Sequence, residues 1–237
     1  MITKDAHVHT NYSPDASRDA TFKTYITKAK EIGIKEIIFT DHHDIDAIHP
    51  LFENPIDYDE YIKEFKKVKK ETNFSMILGV EVGYQSHTTR ELEQFLDRYP
   101  FEYVILSVHY IEKKDLYTQE YFQNKTKEES YITYFKTCLE AIENTKSFDT
   151  FGHLDYITRY SPYGDYSFLE YQEYIDPILK ALIKKNINLE INTSGYKTEN
   201  RSYPKQEVIN RYIELGGKNI IYGSDAHSVE ELGRNFK

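Results

Sequence analysis

At 237 residues the chain has the length at which one barrel domain buries a sizeable core, and nothing in it separates off as a second unit. Thirty Lys and Arg against 39 Asp and Glu leave a formal charge of −9, which argues against the broad basic surface of a general nucleic-acid binder. With a single cysteine, no apolar stretch near the ~20 residues of a membrane span and no basic-then-apolar leader, we expect a soluble, cytoplasmic protein without an internal disulfide.

Seven β-branched or apolar runs read as strands: 3–9, 36–42, 75–83, 103–109, 148–155, 187–193 and 218–225. Helical patterns lie between them, so the spacing demands crossovers and a largely parallel sheet. Phe22, Tyr25, Ile26, Ala29 and Ile32 form the first helix stripe, stopped by Gly33. The second helix is capped by Asp57 with Glu60 three residues on and carries Tyr61, Ile62, Phe65 and Val68. Thr88 with Glu91 repeats that cap ahead of Leu92, Phe95 and Leu96, and Ile132, Phe135, Leu139 and Ile142 form a fourth stripe, in which Cys138 is a packed, reduced thiol. The fifth helix runs through Ile178, Leu179, Leu182 and Ile183, with Pro177 at its first turn or at a kink. Pro204 suits the first turn of a sixth helix, which carries Val208, Tyr212 and Ile213. Segments 43–56, 110–126 and 156–167 read as loops over one face, and with ten residues after His227 a last helix is expected to be shortened or absent.

The strands share one habit. Each of six ends in metal-type side chains: His7 and His9 in alternation, then His42, Glu81, His109, His153, and Asp225 with His227. Residues i and i+2 of a strand face the same way, and in parallel barrels the carboxyl ends of the strands converge on one rim. Imidazole and carboxylate without thiolate suit Zn, Mn or Fe at a hydrolytic centre better than a structural zinc. A single strand-end histidine is ordinarily a satisfied, part-buried residue. Eight ligand types on one rim are not explained that way, whereas His49 and His87 are read as surface residues.

With His7-Val-His9-Thr-Asn-Tyr-Ser-Pro-Asp15, Thr40-Asp-His42, Glu81, Ser107-Val-His109, Gly152-His153-Leu-Asp, Glu190-Ile-Asn192-Thr-Ser-Gly195 and Gly223-Ser-Asp225-Ala-His227 assembled, the chain resembles the PHP (polymerase and histidinol phosphatase) superfamily, in its histidinol-phosphate phosphatase branch, over essentially its whole length. The resemblance implies one α/β domain over 1–237, a distorted seven-stranded (β/α) barrel holding three divalent ions (Zn, Mn or Fe). It implies His7, His9, Glu81 and Asp225 on the first ion, Glu81, His109 and His153 on the second, and Asp15, His42 and His227 on the third. Asp15 also reads as a turn residue beside Pro14.

The activity so implied is hydrolysis of L-histidinol phosphate, a small phosphomonoester, with Glu81, His42, Asp225 and Arg159 as the catalytic group. Arg159, in the loop after His153, is the first choice for the phosphoryl oxygens and Arg201 the second. The leaving alkoxide takes its proton from a metal-bound water or from His43, Asp44 or Asp46. Asp44, Asp46, Tyr117, Phe122 and Tyr163 are the candidates for an acidic and aromatic substrate wall. The alternative is another PHP phosphoesterase acting on nucleotides or nucleic-acid ends. An amidohydrolase barrel also begins with HxH, but would want a bridging lysine where this chain has His109. A regulatory metal-binding protein gains no support from a ligand set in which no position is missing.

Overall fold

The computed structural model describes residues 2–52 and 54–236. In chain order its elements are β1 (Lys4–Val8), α1 (Phe22–Ile32), β2 (Glu36–Phe39), β3 (His42–Asp44), α2 (Tyr58–Thr72), β4 (Ser75–Gly83), α3 (Thr89–Arg98), β5 (Tyr103–Ser107), β6 (Tyr110–Ile111) and β7 (Lys114–Asp115). There follow α4 (Lys127–Asn144), β8 (Thr150–Phe151), α5 (Ile157–Tyr160), α6 (Phe168–Lys185), β9 (Asn188–Asn192), α7 (Gln206–Glu214) and β10 (Ile220–Gly223).

Seven strands run parallel in the order β1-β2-β4-β5-β8-β9-β10, a nearly closed barrel with one unsealed seam between β10 and β1. The seam is crossed near its carboxyl end by one bridge, Val8 to Ala226, in which His9 N–H donates to Ala226 O and Asp225 N–H to His7 O, both at 2.9 Å. Farther back the buried Asp5 carboxylate accepts the N–H groups of Ser224 and Gly233, each at 2.9 Å. The Ser224 N–H, next to the end of β10, is thus satisfied by a side chain in place of a ladder partner, and the Gly233 bond ties the segment after β10 to the same carboxylate. Ala6, Ile38, Tyr103 and Ile105, all strand residues, fill the barrel below the rim, while the larger core lies between strands and helices.

The expected second strand, 36–42, is two pieces. After β2 the ladder breaks at Thr40 and Asp41, and β3 rejoins beside the far half of β4, pairing His42 with Glu81. The break has a cause: buried Asp41 accepts bonds from the backbone and hydroxyl of both Thr10 and Ser13, at 2.8 to 3.1 Å, and so draws in the loop that leads to Asp15.

Helix ends follow local chemistry. Thr21 and Thr24 cap α1 reciprocally and Gly33, at φ 84°, ends it; Asp57 caps α2. Thr88 does not cap α3, because a 3-10 turn precedes it and turns its hydroxyl back onto Gln85 O. Pro177 lies well inside α6, which begins nine residues earlier than the proline, and α7 begins only after Lys205, so Pro204 stands ahead of it. The loop regions also carry structure: a 3-10 turn at Pro50–Phe52, the antiparallel β6–β7 hairpin, and α5. Position 53 of the first loop lies outside the described residues. Among the described residues after β10 the one helical element is the turn Val229–Glu231. Cys138 is fully buried, with burial pushing its thiol well up, and among the described residues no helix is long and apolar enough to cross a membrane.

Candidate metal centre

Alternation in β1 aims His7 and His9 at one point over the barrel mouth, where Glu81 arrives from β4 and Asp225 from just beyond β10. Asp225 sits at φ 53°, a left-handed conformation that aspartate tolerates better than branched residues do. From Glu81 Oε2, His7 Nε2 lies at 3.2 Å and His9 Nε2 at 3.5 Å; from Asp225 Oδ1 the same two atoms lie at 3.7 and 3.3 Å. A tetrahedral ion with bonds of about 2.0–2.2 Å requires donor separations of about 3.3–3.6 Å. All four groups are buried, and His7 Nε2, His9 Nε2 and Glu81 Oε2 have no hydrogen-bond partner, a costly state for polar atoms in a protein interior. The donor set therefore fits a divalent cation.

The other oxygen of Glu81 faces a second set. His153 Nε2 lies 2.9 Å and His109 Nε2 3.3 Å from Oε1, which also accepts the Ser107 hydroxyl at 2.7 Å. A third set gathers at the rim, where Asp15 Oδ2 is 3.1 Å from His227 Nε2 and 3.6 Å from His42 Nε2. His42 belongs to the neighbouring set as well, its Nδ1 being 3.1 Å from Glu81 Oε2. Asp15 is the most open of these residues, with 31% of its side chain exposed.

Outer partners orient the rings. His7 Nδ1 lies 2.6 Å from Glu190 Oε1, His109 Nδ1 2.8 Å from Asp44 Oδ1 and His227 Nδ1 3.0 Å from the Asp225 carbonyl. Each partner is an acceptor, so Nδ1 carries the hydrogen and the Nε2 lone pair is turned inward, as a ligating histidine requires. Burial alone would push Glu81 and Asp225 up, but the charge of His7 and its neighbours holds both carboxyls well below the usual range. Burial likewise works against a charged His109, yet Asp44 and Glu81 outweigh it and raise that ring to about 10. His9 is held neutral by burial and by the nearby His227 and His42.

A cavity of about 400 Å³ opens over the centre, with Arg159 in its wall. The Arg159 guanidinium bonds the Ser194 hydroxyl, lies 3.2 Å from Asp225 Oδ2, and stacks 5.2 and 5.0 Å from the ring centres of Tyr156 and Tyr203. A second cavity of about 190 Å³ shares His42, His109 and Tyr160 with the first and adds Phe52, Tyr117 and Asp115. Other expected residues stand elsewhere. Arg201 pairs with Asp155 and Glu199; Asp46 pairs with His87 and Lys113; His43 stacks on Phe95 with burial lowering it to about 4. Asp44 holds the rings of His42 and His109 and also lines the second cavity. Phe122 is buried against Tyr163, whose hydroxyl bonds the Lys125 carbonyl. Glu190, Asp41, Ser194, Lys197 and Arg234 carry no site role in the sequence reading; Glu190, Asp41 and Ser194 fall inside its motifs, whereas Lys197 and Arg234 fall outside them.

The PHP domain family matches residues 5–194. A protein of Clostridium acetobutylicum named "Probable histidinol-phosphatase" is 34% identical over 236 residues, 98% of this chain and 89% of its own. The histidinol-phosphatase of Lactococcus lactis is 34% identical over 232 residues, covering 96% and 85%. The crystal structure of histidinol phosphate phosphatase from that organism, complexed with zinc, L-histidinol and phosphate, matches with a TM-score of 0.85 at 33% identity, over 96% of this chain and 87% of that one. A Listeria monocytogenes structure matches with the same TM-score at 20% identity, over 98% of both chains, and bears on the fold alone.

Proposed function

The chain belongs to the PHP domain family, and from that premise we propose that it is a metal-dependent histidinol-phosphate phosphatase, releasing L-histidinol and phosphate in histidine biosynthesis. The observation that carries this reading is Glu81, a buried carboxylate whose two oxygens each face a separate histidine set beneath a cavity walled by an arginine. We assign His7, His9, Glu81 and Asp225 to one divalent ion, Glu81, His109 and His153 to a second, and Asp15, His42 and His227 to a third, the metal being Zn, Mn or Fe. When bound, such ions polarise phosphoryl oxygens and acidify water. Residues 1–237 are read as one phosphoesterase domain in the cytoplasm, consistent with the free, buried Cys138.

The protein's own groups do the rest. Glu81 fixes the spacing of two sites because one rigid carboxylate serves both. Arg159 offers a planar, permanently charged donor fork to the phosphoryl oxygens, and its stacking on two tyrosines keeps that fork from swinging into solvent. The smaller cavity suits the histidinol part: Phe52, Tyr117 and Tyr160 supply aromatic walls and Asp115 an anion for an amine or imidazole. Such a site favours a small cationic phosphomonoester over a nucleic-acid end, in keeping with the acidic chain.

Phosphate release by metal-loaded protein tests the reading. We expect kcat/KM for L-histidinol phosphate to exceed that for other phosphomonoesters, mononucleotides and single-stranded DNA 3′ ends by 10²-fold or more, on the scale of a site built around its substrate's polar groups. Equal turnover across the panel overturns the assignment of substrate, and preference for DNA ends replaces it with the alternative phosphoesterase.

A further inference from the structure

Beyond residue 194, where the family match ends, the segment after β10 brings Glu231 and Arg234 to the cavity. Leu232 is buried, and Gly233 N–H donates to the Asp5 carboxylate, so the segment is pinned along the seam of the barrel. Pinned there, the Glu231 carboxylate has three partners. Its Oε2 accepts the backbone N–H of His227 at 3.0 Å, while Oε1 lies 3.0 Å from Lys197 Nζ and 2.5 Å from Arg234 Nη2. Arg234 donates through Nη1 to the Ser194 carbonyl at 3.4 Å, and the hydroxyl of that same serine is a partner of Arg159. One carboxylate between two cations leaves this triad with a net positive charge, in a cavity whose other carboxylates, Asp15, Glu81 and Asp225, belong to the candidate metal sets. The Arg234 side chain is only 16% exposed, so its field is weakly screened.

Resting on the reading of the site as a phosphatase, we propose that Arg234 is a second phosphate-contacting arginine and that Glu231 is the positioning residue that holds Arg234 and Lys197 over the centre while fixing His227. A guanidinium has five N–H donors, and the contacts above leave Arg234 several for phosphoryl oxygens. Glu231 anchors the two cations from below, so its loss frees them to extend into solvent.

Inorganic phosphate, titrated calorimetrically into metal-loaded protein, is the probe, with steady-state kinetics alongside. Arg234→Gln should weaken phosphate binding about tenfold, the scale of one charge-assisted hydrogen bond, and raise KM more than it lowers kcat, with metal content unchanged. Arg234→Lys should restore part of the affinity, since charge returns without the fork. Glu231→Gln removes a negative charge, which by electrostatics alone would tighten phosphate binding; a positioning role predicts weaker binding instead. Tighter binding in Glu231→Gln overturns the positioning role, and phosphate affinity within twofold of wild type in Arg234→Gln overturns the contact. A wild-type protein that binds phosphate but does not turn over histidinol phosphate sinks the functional reading and leaves this one standing.

Discussion

Glu190 does as much for the centre as some of the residues that face it. Buried and held by the His153 N–H at 2.6 Å and the Asn192 amide at 3.3 Å, it takes the Nδ1 hydrogen of His7 and leaves Nε2 free to bind. Replacing it with Gln keeps size but removes the charge that supports the ring's basicity. We expect Glu190→Gln to weaken zinc binding 10–100-fold in chelator competition, with activity recovering at saturating zinc; unchanged affinity would make Glu190 a packing residue. The role proposed for Arg159 belongs to the phosphoryl group. Arg159→Ala should lower kcat/KM for histidinol phosphate about 10²-fold, the usual loss for one oxyanion-stabilising group, and Arg159→Lys should recover only part. Kinetics like wild type in Arg159→Ala would move the role to Arg234. The histidines were legible because strand period puts i and i+2 on one face. Glu190 was not, because its partner His7 is 183 residues away and meets it only when the barrel is assembled.

Strand ends carry glycine where the centre needs room. A Cβ on Gly83, the last residue of β4, would sit 1.9 Å from Asp44 Oδ1, and one on Gly223, the last of β10, would sit 2.4 Å from Glu190 Oε1. In the sequence Gly223 reads only as part of a motif; the close approach of a carboxylate from a neighbouring strand gives it a reason. Gly83→Ala must therefore displace Asp44 from His109. We expect its zinc affinity to fall as in Asp44→Asn, and the double variant to lose little more than either single one, because both act on the same hydrogen bond. Additive losses would mean that Gly83 acts elsewhere. α1 and α2 were legible because cap and stripe are local, whereas the run 148–155 yields only the two-residue β8, since the last strand-to-strand bond is that of Gly152 N–H to Leu106 O and His153 N–H turns to the Glu190 carboxylate.

At the scale of the whole molecule, the seven parallel strands were legible from alternation with helical stripes, but the seam was not: it rests on Asp5 meeting Ser224 and Gly233, contacts with no local signature. The first site as proposed draws its ligands from β1 and from the end of β10, so binding and folding are expected to be coupled across that seam. Without metal, protons hold the centre together. His109, raised to about 10, stabilises the fold fully below its ordinary value near 6.5 and loses that contribution as pH rises through about 10. Glu81 and Asp225, both depressed, contribute above the ordinary carboxylate range and lose it as pH falls. Metal replaces the protons on the histidines, so its binding releases protons and weakens as pH falls. Zinc at about 1,000 times its Kd adds about 4 kcal/mol to the folded state, and each kcal/mol moves Tm by about 2–4 °C at this chain length. Chelation should therefore lower Tm by about 8–16 °C at pH 8 and by progressively less towards pH 6. In Glu81→Gln, where one oxygen of each shared site is lost as an anionic donor, the chelator should shift Tm much less. Equal melting with zinc and with chelator throughout that range would show that the seam holds without the ions, and would remove the structural role assigned to the first site.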